Sequence, residues 1–362
     1  MTVSAQPARP TPTDFTVPVV DLAPWVAPEA DDDDARARVA REVDEACRTV
    51  GFIQVRGHGV PDAAVAGLAS AMDDFFGLPL ADKLALTVPA NRGYSAPRSE
   101  SLSLSLGVEP ANRMNDFFEA FNVGTEARSY AGLDLDEADY GLNVWPDVPR
   151  FRERVETWFA EAGRVARTLL RVFAAALELP ADYFTELTDH SIDVLRMNNY
   201  ALPPGEITLD GELTGMGEHT DFGLVTVLWA DQVAGLQVLG RAGGWHDVSP
   251  VDGALLVNLG DLTARLTNDR WSSTLHRVKP PVVDGRILRR RSAAYFHDGN
   301  VDAVVATLPS HLDARGWGGE PDQAYAPVTV RDHIAAKLAG SRQGRVNVSA
   351  VREAARVLAA RD

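Results

Sequence analysis

From about residue 190 to residue 297 the chain is a succession of short strand-like segments separated by turn residues, and no other feature limits its fold as strongly. Segments 194–200, 217–229, 236–239, 246–248, 254–259, 273–278 and 290–297 are strand candidates by residue type or alternation. Gly243-Gly244 reads as a hairpin tip before Trp245. Many short strands at regular spacing predict an antiparallel barrel or a double-sheet jelly roll. The first half is built differently. Residues 17–22 and 51–55 read as short strands, while 35–49, 62–76 and 149–179 carry helical periodicity, with Pro180 as the stop of the last. Residues 88–146 mix Gly, Pro, Asn and Ser and predict long loops over a site. Helix returns at 330–338 and 351–360. The expected class is α+β, divided into a flexible tail 1–14, a mixed helical region 15–185, a β core 186–310 and a helical extension 311–362.

Charge and composition narrow the function. The formal charge of −16 argues against a nucleic-acid surface, which needs basic faces. The single cysteine, Cys47, excludes an internal disulfide and a thiolate-rich zinc site, and its place in a helical run predicts a buried thiol. The first residues lack an apolar signal segment, and no apolar run reaches the length of a membrane span. A cytoplasmic protein with a small-molecule substrate, no nucleic-acid partner and no membrane partner is expected. The sequence leaves the oligomeric state unknown. Its Ala, Arg, Asp and Val bias suggests a GC-rich bacterial genome.

His219 and Asp221 stand two apart in a predicted strand, and His276 lies in a separate one. Period-2 geometry would place the first two on one face, and a rolled sheet could bring the third beside them. Two imidazoles and a carboxylate on one face of an octahedron are the ligand set of a non-haem Fe(II) oxygenase, with positions open for O2 and a co-substrate. Zinc competes, and local sequence does not separate the two metals. Further along, Arg290 offers a planar fork suited to a carboxylate, and Ser292 shares its face. Asn198 and Tyr200 share a face of an upstream strand, and a Tyr hydroxyl there can donate to an acid oxygen. Phe117, Phe118, Phe222, Tyr295 and His297 are candidates for the substrate pocket.

Together these segments resemble the isopenicillin N synthase-like family of Fe(II)/2-oxoglutarate-dependent dioxygenases. The resemblance rests on Val17–Leu22, the GFIQVRGHGV segment at 51–60, Leu195-Arg196-Met197-Asn198-Asn199-Tyr200, the GEHTDFGLVT segment at 217–226, Asn258-Leu259-Gly260-Asp261, Leu275-His276-Arg277-Val278 and the RRSAAYF segment at 290–296. It implies a double-stranded β-helix, a jelly roll, wrapped by N-terminal and C-terminal helices. It also implies His219, Asp221 and His276 as the catalytic iron ligands, Arg290 and Ser292 as the grip on the distal carboxylate of 2-oxoglutarate, and Tyr200 and Asn198 as neighbours. The cofactors implied are Fe(II), 2-oxoglutarate and O2. The reaction implied is decarboxylation of 2-oxoglutarate to succinate coupled to hydroxylation, desaturation or ring closure of a substrate, and the expected setting is a small molecule of bacterial specialised metabolism. Some family members, isopenicillin N synthase and the plant ethylene-forming oxidases among them, use the Arg-x-Ser pair for their own substrate and need no 2-oxoglutarate. That alternative stays open on sequence, as does a non-catalytic binding protein on the same fold. A zinc hydrolase is the most distant reading, since no His-Glu-x-x-His spacing occurs.

Overall fold

The computed structural model describes residues 15–26, 33–88, 91–97, 99–100, 102–106, 117–201, 215–280, 282–283, 286–312 and 325–343, with single positions between 347 and 358. The expected tail 1–14 and most of the expected helix 351–360 lie outside the described residues. Along the chain the strands are β1 (Val19–Asp21), β2 (Phe52–Arg56), β3 (Gly93–Ser95), β4 (Glu119–Gly124), β5 (Val194–Tyr200), β6 (Met216–His219), β7 (Val225–Ala230), β8 (Leu236–Leu239), β9 (Trp245–Asp247), β10 (Leu255–Leu259), β11 (His276–Val278), the short pair β12 (Val282–Val283) and β13 (Arg286–Ile287), β14 (Arg290–His297), and a second short pair, β15 (Val304–Val305) and β16 (Val328–Thr329). The helices are α1 (Ala23–Val26), α2 (Asp33–Thr49), α3 (Asp62–Phe76), α4 (Leu80–Leu84), α5 (Phe151–Ala176), α6 (Tyr183–Thr188), α7 (Asp261–Leu266) and α8 (Val330–Gln343). None among the described residues is long and apolar enough to cross a membrane.

Two sheets carry the architecture. The larger has eight strands in the order β1-β2-β10-β7-β14-β5-β4-β3, and the smaller has four in the order β6-β11-β8-β9. The pairings are antiparallel except for β1 with β2. The pleat of the larger sheet sorts its side chains into two cores. Leu195 and Met197 of β5, Val225 and Val227 of β7, and Ala293 and Tyr295 of β14 join α2, α3 and α5 in the main core. The alternate positions Ala120, Tyr200 and Leu256 pack instead against Met216, Val238 and Val278 of the smaller sheet. Both faces of the larger sheet are therefore buried, at about 1.5–3 kcal/mol for each large apolar side chain removed from water.

Local chemistry sets the helix ends. α3 begins after Pro61 with Asp62 in its first turn, where a carboxylate favours the positive end of the helix dipole, and it ends at Gly77. α5 stops at Ala176, three residues before the end expected from Pro180. The reason is a left-handed Glu178 (φ 55°), with Glu178 N–H donating to Ala175 O at 3.2 Å and Leu179 N–H to Ala174 O at 2.8 Å. This is a Schellman-type closure, which satisfies carbonyls that would otherwise be left over. Cys47 is fully buried and its thiol is pushed up by burial, first, and by Asp44.

Two expectations need correction. Segment 217–229 is not one strand: β6 ends at His219 and β7 starts at Val225, so Asp221 lies in the turn between them. Gly223 makes that turn possible, since a Cβ there would sit 1.9 Å from Asp298 Oδ1. Segment 88–146 is not all loop, because β3 and β4 extend the larger sheet beside β5.

α8 is anchored by charge. Lys337 Nζ lies 2.6 Å from Asp261 Oδ2, with side-chain exposures of 1% and 2%. His333 Nε2 stands 3.8 Å from the same oxygen. Burial, opposed by Asp261 and reinforced by Lys337 and Arg265, lowers the His333 pKa to about 3. The unfolded chain then binds a proton at this residue that the folded chain refuses, so stability rises with pH between about 3 and 6.5. The cost at the acid end is on the order of 5 kcal/mol. Melting temperature against pH should therefore slope upward through this window, and His333→Gln should flatten the slope. An unchanged slope would show that His333 is not the group responsible.

Candidate metal centre

Register brings the two histidines together: His219 at the end of β6 is the cross-strand partner of His276 at the start of β11. Their ring centroids are 4.2 Å apart. His219 Nδ1 bonds Gly217 O at 2.8 Å, and His276 Nδ1 bonds Thr274 O at 3.0 Å. A carbonyl only accepts, so each Nδ1 carries the proton and each Nε2 presents a lone pair. Both Nε2 atoms face Asp221 Oδ1, at 3.9 Å from His219 and 3.7 Å from His276. The other carboxylate oxygen, Oδ2, accepts from Thr226 Oγ1 at 2.5 Å and Asn258 Nδ2 at 2.6 Å. These two bonds fix the carboxylate so that Oδ1 points at the imidazoles.

The three ligand atoms lie within 4.8 Å of one another, and all three residues are buried. Burial, with His276 beside it, lowers the His219 pKa to about 3, so its ring is neutral. Three buried acceptor atoms turned toward one another repel unless a cation lies among them. The donor set therefore fits a divalent metal, and two imidazoles with one carboxylate suit iron.

The same cavity holds Arg290, which is 2% exposed. Its Nε and Nη1 have no hydrogen-bond partner among the described residues. A buried guanidinium with unused donors is costly and calls for an anion. Cross-strand register sets Tyr200 opposite Arg290 and Asn198 opposite Ser292. The Arg290 guanidinium lies 5.1 Å over the Tyr200 ring, and the Tyr200 hydroxyl reaches Met216 Sδ at 3.8 Å. Asn198 Oδ1 accepts from Arg196 Nε at 3.2 Å. All four of these residues line the cavity.

Of the five pocket candidates, only Phe222 lines this cavity. Phe118 is buried against Tyr200, with ring centroids 5.7 Å apart, under the Arg196 guanidinium, and neither it nor Phe117 reaches the lining. Tyr295 and His297 are corrected: they point to the helical side of the larger sheet, where Tyr295 Oη donates to Asp193 Oδ2 at 2.6 Å and His297 Nδ1 bonds Asp193 Oδ1 at 2.8 Å. The pleat that aims Arg290, Ser292, Ala294 and Phe296 into the cavity turns the odd-numbered residues of β14 away. Residues not anticipated are Thr226 and Asn258 on the carboxylate, and Glu100, Arg196 and Arg342 in the wall. Strand parity could have revealed Thr226 and Asn258. Nothing local marks Glu100 or Arg342.

Comparison with known proteins agrees with this geometry. Residues 17–148 match the family described as non-haem dioxygenase in morphine synthesis N-terminal, and residues 192–299 match the 2OG-Fe(II) oxygenase superfamily. The chain is 34% identical to the 2-oxoglutarate-Fe(II) type oxidoreductase hxnY of Emericella nidulans, covering 88% of each chain. It is also 34% identical to the validamycin A dioxygenase of Streptomyces hygroscopicus subsp. limoneus, covering 88% of this chain and 86% of that one. Among solved structures, a full-length Neurospora crassa protein in complex with alpha-KG superposes with a TM-score of 0.74 at 26% identity, over 89% of this chain and 96% of that chain. The chain belongs to the 2OG-Fe(II) oxygenase superfamily and is a 2-oxoglutarate-dependent dioxygenase that works with Fe(II), 2-oxoglutarate and O2.

Proposed function

We propose that His219, Asp221 and His276 hold the iron, that Arg290 and Ser292 with Tyr200 and Asn198 receive 2-oxoglutarate, and that the enzyme hydroxylates a small molecule. The observation that carries this reading is the buried Arg290, whose Nε and Nη1 have no partner among the described residues, in the same cavity as the convergent His-Asp-His set. We further assign the chain to the isopenicillin N synthase-like branch, with the described residues of 186–310 as a double-stranded β-helix and those of 15–185 and 311–362 as its helical wrapping. The two facing sheets support that description.

Fe(II) held by His219, Asp221 and His276 would supply the capacity to activate O2 for a substrate oxidation coupled to conversion of 2-oxoglutarate to succinate and CO2. The protein's part is positional. Gly217 and Thr274 carbonyls set the imidazole tautomers, and Thr226 and Asn258 orient the carboxylate. Arg290 aligns the co-substrate, and the apolar walls at Phe52, Leu228 and Phe296 exclude water. The names of the relatives include a validamycin A dioxygenase and homoarginine-6-hydroxylases, and the Neurospora crassa protein is also described in complex with thymine. These fit a small-molecule substrate here.

The test is an anaerobic titration with Fe(II) and 2-oxoglutarate, which should develop the metal-to-ligand charge-transfer band. His276→Ala should lose it. Band formation unchanged in that variant would remove His276 from the ligand set. Asn258→Ala is expected to weaken Fe(II) binding roughly 10–100-fold while the fold survives, because it frees Asp221 to rotate. Equal affinity for variant and parent would show that Thr226 alone holds the carboxylate.

A further inference from the structure

The floor of the cavity is a grid set by strand register, and it has a third polar region away from the metal and Arg290. Asn258 and Thr226 pair across β10 and β7, and Thr226 pairs with Phe296 of β14. One pleat further along, Ala294 pairs with Arg196 of β5, and Arg196 with Asn122 of β4. Arg196 thus lies two strands from Thr226, roughly 10 Å across the sheet. Arg290, at the far end of β14, is four residues from Ala294, roughly 13 Å along the strand.

Around Arg196 the side chains form a built cluster. Glu100 is 5% exposed and takes Arg196 Nη2 on one oxygen at 2.9 Å and Arg342 Nη2 on the other at 3.4 Å. Asn91 Oδ1 accepts from Arg342 Nη2 at 2.6 Å and from Asn122 Nδ2 at 2.8 Å. One carboxylate thus meets two guanidiniums, which leaves one positive charge in excess. Two polar atoms of the cluster are buried without a partner among the described residues: the Nε of Arg342, a donor, and the Oδ1 of Asn122, an acceptor in a residue 1% exposed. All five residues line the cavity, beside apolar Leu102, Phe222, Ile334 and Leu338.

A local excess of positive charge with an unused buried donor atom calls for an anion, as at Arg290, with the difference that the Arg342 side chain is 22% exposed. We propose that Arg342 and Arg196, held in place by Glu100 and Asn91, form the subsite for a carboxylate of the substrate, so that the enzyme oxidises a small carboxylic acid with an apolar body. The assignment rests on the functional reading of the cavity given above. Distance suits it: the acid group docks several bonds from the carbon presented near Asp221. Arg342 sits at the end of α8, so this helix contributes specificity as well as closing the wall.

The experiment uses the full chain loaded anaerobically with Fe(II) and 2-oxoglutarate. Phenylacetate, cinnamate and octanoate are each titrated against their primary amides, reading the shift of the charge-transfer band. At least one acid should bind ten times or more tightly than its amide. Arg342→Gln should erase that preference by weakening the acid at least tenfold, with the amide and the 2-oxoglutarate titration unchanged, and Arg342→Lys should restore part of it. Acids that bind no better than amides to the loaded wild type would overturn the proposal. So would Arg342→Gln weakening acid and amide alike, which marks a structural latch. A wild type that never develops the band defeats the reading of the cavity itself, and this assignment with it.

Discussion

Arg290→Met is expected to weaken 2-oxoglutarate binding by two to three orders of magnitude while leaving Fe(II) affinity in place. In the proposed site it would lose two charge-assisted hydrogen bonds in a dry pocket, worth about 3–5 kcal/mol together. The apoprotein should respond in the opposite sense. Its Arg290 is buried with Nε and Nη1 unpaired among the described residues, so exchanging it for an apolar chain of similar length removes a desolvation cost. The cation–π contact with Tyr200 is the partial offset. Its melting temperature should therefore hold or rise. Separate titrations of Fe(II) and 2-oxoglutarate, with a melt of the metal-free protein, test both signs. Undiminished 2-oxoglutarate affinity would move the co-substrate site elsewhere.

Lys337→Met, in the helix that supplies Ile334 and Leu338 to the cavity, is expected to be strongly destabilising. It strips the cation from a carboxylate that is 2% exposed, and breaking such a pair from one side costs about 3–5 kcal/mol. A fall in melting temperature of about 4–7 °C follows. Asp261→Asn in the Lys337→Met background should recover part of the loss, because the orphaned charge is gone while Ser273 Oγ, 2.7 Å from Asp261 Oδ1, keeps a partner. The damage should reach the metal as well. Asp261 N–H donates to Asp221 O at 2.9 Å, and Thr220 Oγ1 donates to Asp261 Oδ2 at 3.2 Å, so the turn bearing Asp221 is tied to this pair. Fe(II) affinity should fall with stability. A variant that melts like the parent would mean that α8 is held by its apolar contacts alone.

Much of the site could be read from residue types and strand period. The histidines, Asp221, Arg290, Ser292, Asn198 and Tyr200 all reach one cavity. The same period, applied consistently, would have excluded Tyr295 and His297, which share the parity of Ala293 rather than of Ser292. It failed for Asp221 for another reason: the strand stops at His219, and a turn delivers the carboxylate. Parity describes a pleat and says nothing once the ladder ends.

The sequence by itself brought out the short-strand architecture, the His219-x-Asp221 spacing and the strand bearing Arg290 and Ser292, because each shows in residue types and in spacings of a few positions. Only the tertiary structure decided that α8 walls the cavity, that Arg342 and Arg196 share Glu100, and that Asn258 steadies Asp221. Those contacts join residues tens to hundreds of positions apart. Their formation depends on how sheets and helices pack as bodies, and no local preference of the chain encodes it.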